Sequence, residues 1–164
     1  MSSAALTLCS RVRDFSALRI DSSVSLGLVG ISEAPTAHVL RRGSKRYALC
    51  CAIDILLNAN GPPGYGSTRC PVCGTAIRIQ THEGAVVGLS PPGAVVNSQE
   101  MRTPDGRRGI CCATSFIFDS EQCRQTWDRT HPDGRGVSAT VGEYVIRCCA
   151  PGFREDAGSS FPYR

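Results

Sequence analysis

No uninterrupted apolar run in the sequence approaches the ~18–20 residues that a membrane-spanning helix needs. The opening stretch "MSSAALTLCSRVRDF" has a short apolar patch, but Arg11, Arg13 and Asp14 break it early. The basic-then-apolar layout of a secretory signal is therefore missing. These two absences predict a soluble, cytoplasmic protein with no membrane partner. Basic residues interleaved with aromatics are also missing: the net charge of +4 is scattered, and its one small cluster, "RRGSKR" at 41–46, reads as a solvated loop. No nucleic-acid partner is expected. The Gly-rich stretch "GPPGYG" lacks the Lys-Ser/Thr and following helix of a phosphate loop, and no Ser-His-Asp pattern stands out. A single Cys-x-x-Cys occurs, without the second that would complete a four-cysteine zinc site.

Cysteine is abundant: ten in 164 residues, at 9, 50, 51, 70, 73, 111, 112, 123, 148 and 149. An even count in a small secreted protein would suggest a disulfide framework. Here three pairs are immediate neighbours, and adjacent cysteines bridge one another only with strain. With no export signal, the pattern favours reduced thiols that handle metals or redox chemistry. Some of the ten serve simply as small buried apolar residues.

The hydrophobic fraction of 41% supports a packed core, and the length suits one domain. Residues 1–27 read as weakly structured, 28–150 as one α+β domain, and 151–164 as a flexible tail. Within the domain, "SVSLGLVGI" (23–31) alternates like a strand. "TAHVLRRGSKRYALC" predicts strand, turn at Gly43-Ser44, and strand. "CCAIDILLNA" fits either a short helix or a buried strand. "NGPPGYGS" (60–67) predicts a loop. "TAIRIQTH", "EG" and "AVVGLS" form a hairpin, and "AVVNSQ" a further strand. "TPDGRRG" (103–109) is a polar turn and "ICCATSFIF" one strand rich in β-formers. "DSEQCRQTWDRTH" starts with a cap and continues as a helix. "VSATVGEYVIRCC" reads as a last strand. The fold class is α+β: antiparallel sheet built from hairpins, with few helices.

Three groups could carry chemistry. "CPVCG" places Cys70 and Cys73 on a tight turn, a candidate zinc knuckle that His82 or a paired cysteine would complete. A thioredoxin-like use is disfavoured because a strand follows the motif rather than a helix. In "RYALCCAIDILLN" a lone acid, Asp54, follows Cys51 by three places. If the segment is helical, thiol and carboxylate share a face. A lone Asp in an apolar run is costly to bury without a hydrogen bond or a task, and capping a neighbouring backbone amide would satisfy it. "GICCATSF" supplies Cys111 and Cys112, of which only one can face a given site.

In this order "CCAIDILL", "STRCPVCGTAIRI", "GICCATSFIF" and "TWDRTHPDGRG" resemble the alkylmercury (organomercurial) lyase family. The resemblance runs from about Val39 to Tyr144. Cys51 and Asp54 match the family's Cys-x-x-Asp, Cys111 matches its second catalytic cysteine, and Cys70 a further family cysteine. What this implies is protonolytic cleavage of R–Hg to R–H and Hg(II) on an organomercurial-lyase-like core. Cys51 and Cys111 would hold mercury as thiolates and Asp54 would carry the proton. Mercury(II) is soft and prefers sulfur, and an apolar setting helps an acid keep its proton. No cofactor is required; external thiols are co-reactants, and zinc at Cys70 and Cys73 would be structural. Cellular thiols or a mercuric reductase would receive the Hg(II). The sequence departs from the family in three ways. It has no comparable helical pattern in place of the winged-helix-like N-terminal region, Cys50 replaces a Trp, and Cys73, Cys148 and Cys149 are additional. The competing expectation is a non-catalytic, thiol-rich protein that binds or delivers soft metals (Hg, Cu or Zn).

Overall fold

The computed structural model describes residues 28–102 and 108–150. The readings for 1–27, for 103–107 and for the tail from 151 lie outside these residues. A five-stranded antiparallel sheet, in the order β2-β1-β3-β4-β5, forms one layer. Its strands are β1 (Val39–Arg42), β2 (Lys45–Ala48), β3 (Gly64–Arg69), β4 (Ala76–His82) and β5 (Ala85–Ser90). The β1–β2 register, Arg42 opposite Lys45, puts the tight turn at Gly43-Ser44 as the sequence predicts. Alternation is clean on the central strands. Leu40, Ile77 and Ile79 point inward, while Arg41, Tyr65 and Arg78 point to solvent.

Two smaller sheets complete the β structure. One has the order β10-β6-β9, from β6 (Val95–Ser98), β9 (Phe116–Phe118) and β10 (Val137–Thr140). The other pairs β7 (Glu100–Arg102) with β8 (Arg108–Ile110). Three helices pack on them: α1 (Ile53–Leu57), α2 (Glu121–Thr130) and α3 (Val141–Cys149). The α+β class with antiparallel sheets is as the sequence predicts.

One ambiguous reading is resolved and several others differ. The ambiguous "CCAIDILL" is helical: α1 lies across the inner face of the large sheet with Ile53, Ile55 and Leu56 fully buried. The expected loop at 60–67 gives way to β3 from Gly64. Gly66 sits directly beneath Ile55, where a Cβ would lie 2.2 Å from Ile55 Cγ2, so its glycine marks close helix–sheet packing rather than a turn. "ICCATSFIF" is not one strand: β8 stops at Ile110, a turn spans 112–114, and β9 begins at Phe116. The "last strand" divides into β10 and α3. Thr140 and Glu143 form a reciprocal capping box, and Val141, Tyr144, Val145 and Cys148 give a helical stripe that is buried. Of the strand expected at 23–31, the described part contributes one isolated bridge, Ile31 to Leu49.

α3 packs against α1, β5, β6 and β10, so it joins the two larger sheets. Tyr144 donates a buried hydrogen bond to Ser98 Oγ at 2.7 Å. Arg147 reaches Glu100 at 2.8 Å. In the smaller sheet Phe116, Phe118 and Trp127 make edge or tilted ring contacts that seat α2. No described helix is long and apolar enough to cross a membrane.

Candidate functional site

α1 begins without a side-chain cap on Ala52. Its second residue, Asp54, fills that role from inside the helix: Oδ2 accepts the Cys51 backbone N–H at 2.9 Å. The bond holds a nearly fully buried carboxylate beside the Cys51 thiol, itself 2% exposed. Asn58, one turn later, ties the preceding chain to the helix. It exchanges hydrogen bonds with the backbone of Val29 at 2.9 and 2.8 Å and donates to the Asp54 carbonyl at 2.7 Å. The Cys50 N–H donates to Gly30 O at 2.7 Å. Gly30 is thereby pressed against Asp54, at a φ of 71°. A Cβ there would lie 2.1 Å from Asp54 Cγ.

The second thiol comes from the turn between β8 and β9. Gln99 and Asn97 shape it. The Cys111 N–H donates to Gln99 O at 3.0 Å, Asn97 Nδ2 to Thr114 O at 2.9 Å, and Gln99 N–H to Ser115 Oγ at 3.0 Å. Cys111 is buried within this turn. It is Cys112, half-buried, that meets Cys51 and Asp54: the two sulfurs and a carboxylate oxygen all lie within 4.8 Å of one another. A hydrogen bond with the Cys112 thiol is the main cause that pushes the Cys51 pKa well up, followed by burial and the nearby Asp54 charge. Cys51 therefore keeps its proton at neutral pH. Cys50 turns away, its thiol approaching Ile31 O at 3.7 Å.

The structure thus brings together Cys51 and Asp54 of the sequence-derived set, with Cys112 beside them. A motif match alone could not choose between adjacent cysteines. The turn that breaks the expected strand carries Cys112 towards Cys51 and Asp54.

The Cys-x-x-Cys turn lies elsewhere. Gly74 takes a φ of 75°, its N–H donates to Cys70 O at 3.0 Å, and the Cys70 N–H donates to Thr75 O at 2.9 Å. Asp119 and Cys123, from the β9–α2 junction, join Cys70 and Cys73, again with all four donor atoms within 4.8 Å. His82, expected as a partner, sits at the far end of β4, about 20 Å of strand from Ala76, and faces Glu83 at 4.0 Å. The missed residues carry a faint signal: Cys123 lies three places after the cap Ser120, so the first turn of α2 presents it beside Asp119. His131 stacks on Trp127, with ring centroids 4.6 Å apart, and caps the end of α2.

A family model described as alkylmercury lyase matches residues 31–147, more than two-thirds of the chain. No curated protein matches. Among solved structures, the mercury-bound form of MerB2 superposes with a TM-score of 0.62 at 23% identity. The match covers 73% of this chain and 58% of that one, so the chain spans less than two-thirds of that protein's length.

Proposed function

We propose that this chain, which belongs to the alkylmercury lyase family, cleaves the carbon–mercury bond of organomercurials by protonolysis at Cys51, Asp54 and Cys112. One observation carries the reading: two thiols and a carboxylate from separate parts of the chain share a space of 4.8 Å in a largely buried setting. That is the donor set a soft R–Hg cation and a carbon-bound proton both need. Cys112 takes the role of second thiolate in place of Cys111.

The steps follow from accessibility and protonation. Cys112, the more exposed thiol, is first to meet R–Hg–X. It loses its proton to solvent, its sulfur bonds to mercury, and X⁻ leaves. Cys51 retains its proton until then. That proton passes to the Asp54 carboxylate as the Cys51 sulfur bonds to mercury. Two sulfurs now donate to the metal, and electron density shifts onto the carbon. Asp54 delivers the proton to that carbon, the C–Hg bond breaks, and R–H departs. Mercury(II) remains on Cys51 and Cys112, and Asp54 is again a carboxylate. Two external thiols then exchange onto mercury, return their protons to the cysteines and carry it away. No resident cofactor enters these steps. Their need for excess thiol suits the reducing cytoplasm, with Hg(II) passing to cellular thiols or to a mercuric reductase.

The test is headspace detection of methane or benzene after methyl- or phenylmercury is added with excess thiol. Wild type and Cys111→Ser release hydrocarbon; Cys51→Ser, Asp54→Ala and Cys112→Ser do not. Stoichiometric mercury binding by wild type with no hydrocarbon would replace the lyase reading with a soft-metal carrier. Loss of turnover in Cys111→Ser with Cys112→Ser active would return the second thiolate to Cys111.

A further inference from the structure

Four donors outside the reaction centre converge from two distant segments. Cys70 and Cys73 come from the β3–β4 turn, Asp119 and Cys123 from the β9–α2 junction. The turn is built for ligation. A left-handed Gly74, the Cys70 N–H to Thr75 O bond and the Gly74 N–H to Cys70 O bond curl it, and both sulfurs lie within 4.8 Å of each other. The opposite half is equally fixed. Ser120 caps α2 by accepting the Cys123 N–H at 3.3 Å, and its hydroxyl donates to Asp119 Oδ1 at 3.0 Å. Three sulfurs and one carboxylate oxygen thus already lie within 4.8 Å of one another.

We infer that Cys70, Cys73, Asp119 and Cys123 form a four-coordinate structural zinc site. Zinc–sulfur bonds of about 2.3 Å set tetrahedral donor–donor distances near 3.8 Å. Donors already within 4.8 Å close by no more than about 1 Å to reach that geometry. Three sulfurs and one oxygen suit zinc; calcium and magnesium take oxygen throughout. Four protein donors leave no open position, which marks a structural rather than a catalytic site. Binding releases the three thiol protons to solvent and changes no oxidation state. The site is independent of the lyase reading, but it bears on the same region. β9 runs from the Cys112 turn to Asp119, so the metal pins the far end of the strand that presents Cys112.

The experiment measures zinc in the purified protein and then exchanges it for cobalt(II). All samples carry Cys51→Ser and Cys112→Ser, so that the other thiol pair cannot contribute. The expected result is about one zinc per chain surviving gel filtration, and a tetrahedral cobalt spectrum with thiolate charge-transfer absorption. Cys73→Ser, at an exposed position, and Cys123→Ser each cut that absorption by roughly one-third, as loss of one of three thiolates requires. Asp119→Asn keeps the charge-transfer band and shifts the ligand-field bands. Zinc removal lowers Tm in the parent, and lowers it by less in Cys123→Ser, whose site keeps only two thiolates. Sub-stoichiometric zinc lost on gel filtration, or a cobalt spectrum indifferent to Cys73 and Cys123, would overturn the assignment.

Discussion

Replacing Gly30 by alanine tests how the proposed proton carrier is held. The new Cβ would sit 2.1 Å from Asp54 Cγ and 2.3 and 2.4 Å from its two oxygens. Non-bonded carbon contacts settle near 3.5–4.0 Å, so the carboxylate must retreat by more than about 1 Å. That retreat draws Oδ2 off the Cys51 N–H, now 2.9 Å away. Losing a hydrogen bond to a buried charged group costs about 1–3 kcal/mol. The left-handed backbone, at a φ of 71°, adds about 1–2 kcal/mol for any residue with a Cβ. Gly43→Ala is the matched control: its φ is 56°, and nothing lies within 4 Å of its Cβ, so only the backbone cost applies. Denaturant unfolding should show Gly30→Ala less stable by about 2–5 kcal/mol and Gly43→Ala by about 1–2. Displacement of a reacting group by about 1 Å lowers turnover roughly 100-fold. Hydrocarbon release should therefore fall by about that factor in Gly30→Ala alone, while mercury is still captured by Cys51 and Cys112. If the two variants lose equal stability and both keep full turnover, Gly30 does not position Asp54.

Other consequences are open to direct measurement. Burial is the first cause that pushes the Cys148 thiol up to about 12 from 9.0. An unfolded chain loses this proton near pH 9 while the folded chain keeps it, so stability is level below pH 9 and falls as pH rises towards 12. At pH 10.5 the loss from this group is about 2 kcal/mol, and Cys148→Ala should remove about that much of the fall between pH 9 and 10.5, the raised Cys51 and Cys123 thiols keeping the rest. Tyr144→Phe leaves the buried Ser98 hydroxyl without its 2.7 Å donor and should cost about 1–2 kcal/mol by urea titration. Thr140→Ala opens the capping box of α3 and should cost about 1 kcal/mol by the same measurement. Thr140→Ser, which keeps the hydroxyl, should recover most of it.

Much of the fold is legible because its signals are local. The Gly43-Ser44 turn, the β4–β5 hairpin and the Ser120 cap each follow from a few adjacent residues. α3 was missed although Thr140-x-x-Glu143 marks its start, because the four residues before it, Val137 to Thr140, alternate like a strand and carry that reading forward. β3 was hidden because Gly66 serves the helix above it rather than a bend. The Cys51–Asp54 pairing could be read from a spacing of three once a helix was granted. The place of Cys112 beside them could not. It depends on a turn fixed by Asn97 and Gln99 from another strand, which no pattern within "GICCATSF" encodes. The same holds for Asp119 and Cys123, whose link to Cys70 is purely tertiary.

The distance along the chain between Cys51 and Cys112 has a thermodynamic consequence. One sulfur sits just before α1 and the other in the β8–β9 turn, so mercury held by both acts as a cross-link that closes a loop of about 60 residues. Treated like a disulfide, such a closure removes chain entropy from the unfolded state worth about 4 kcal/mol. On the proposed chemistry, each turnover would leave the protein stapled by its own product. The product-loaded form would then be the most heat-resistant species in the cycle, and external thiols would act as the agents that unstaple it.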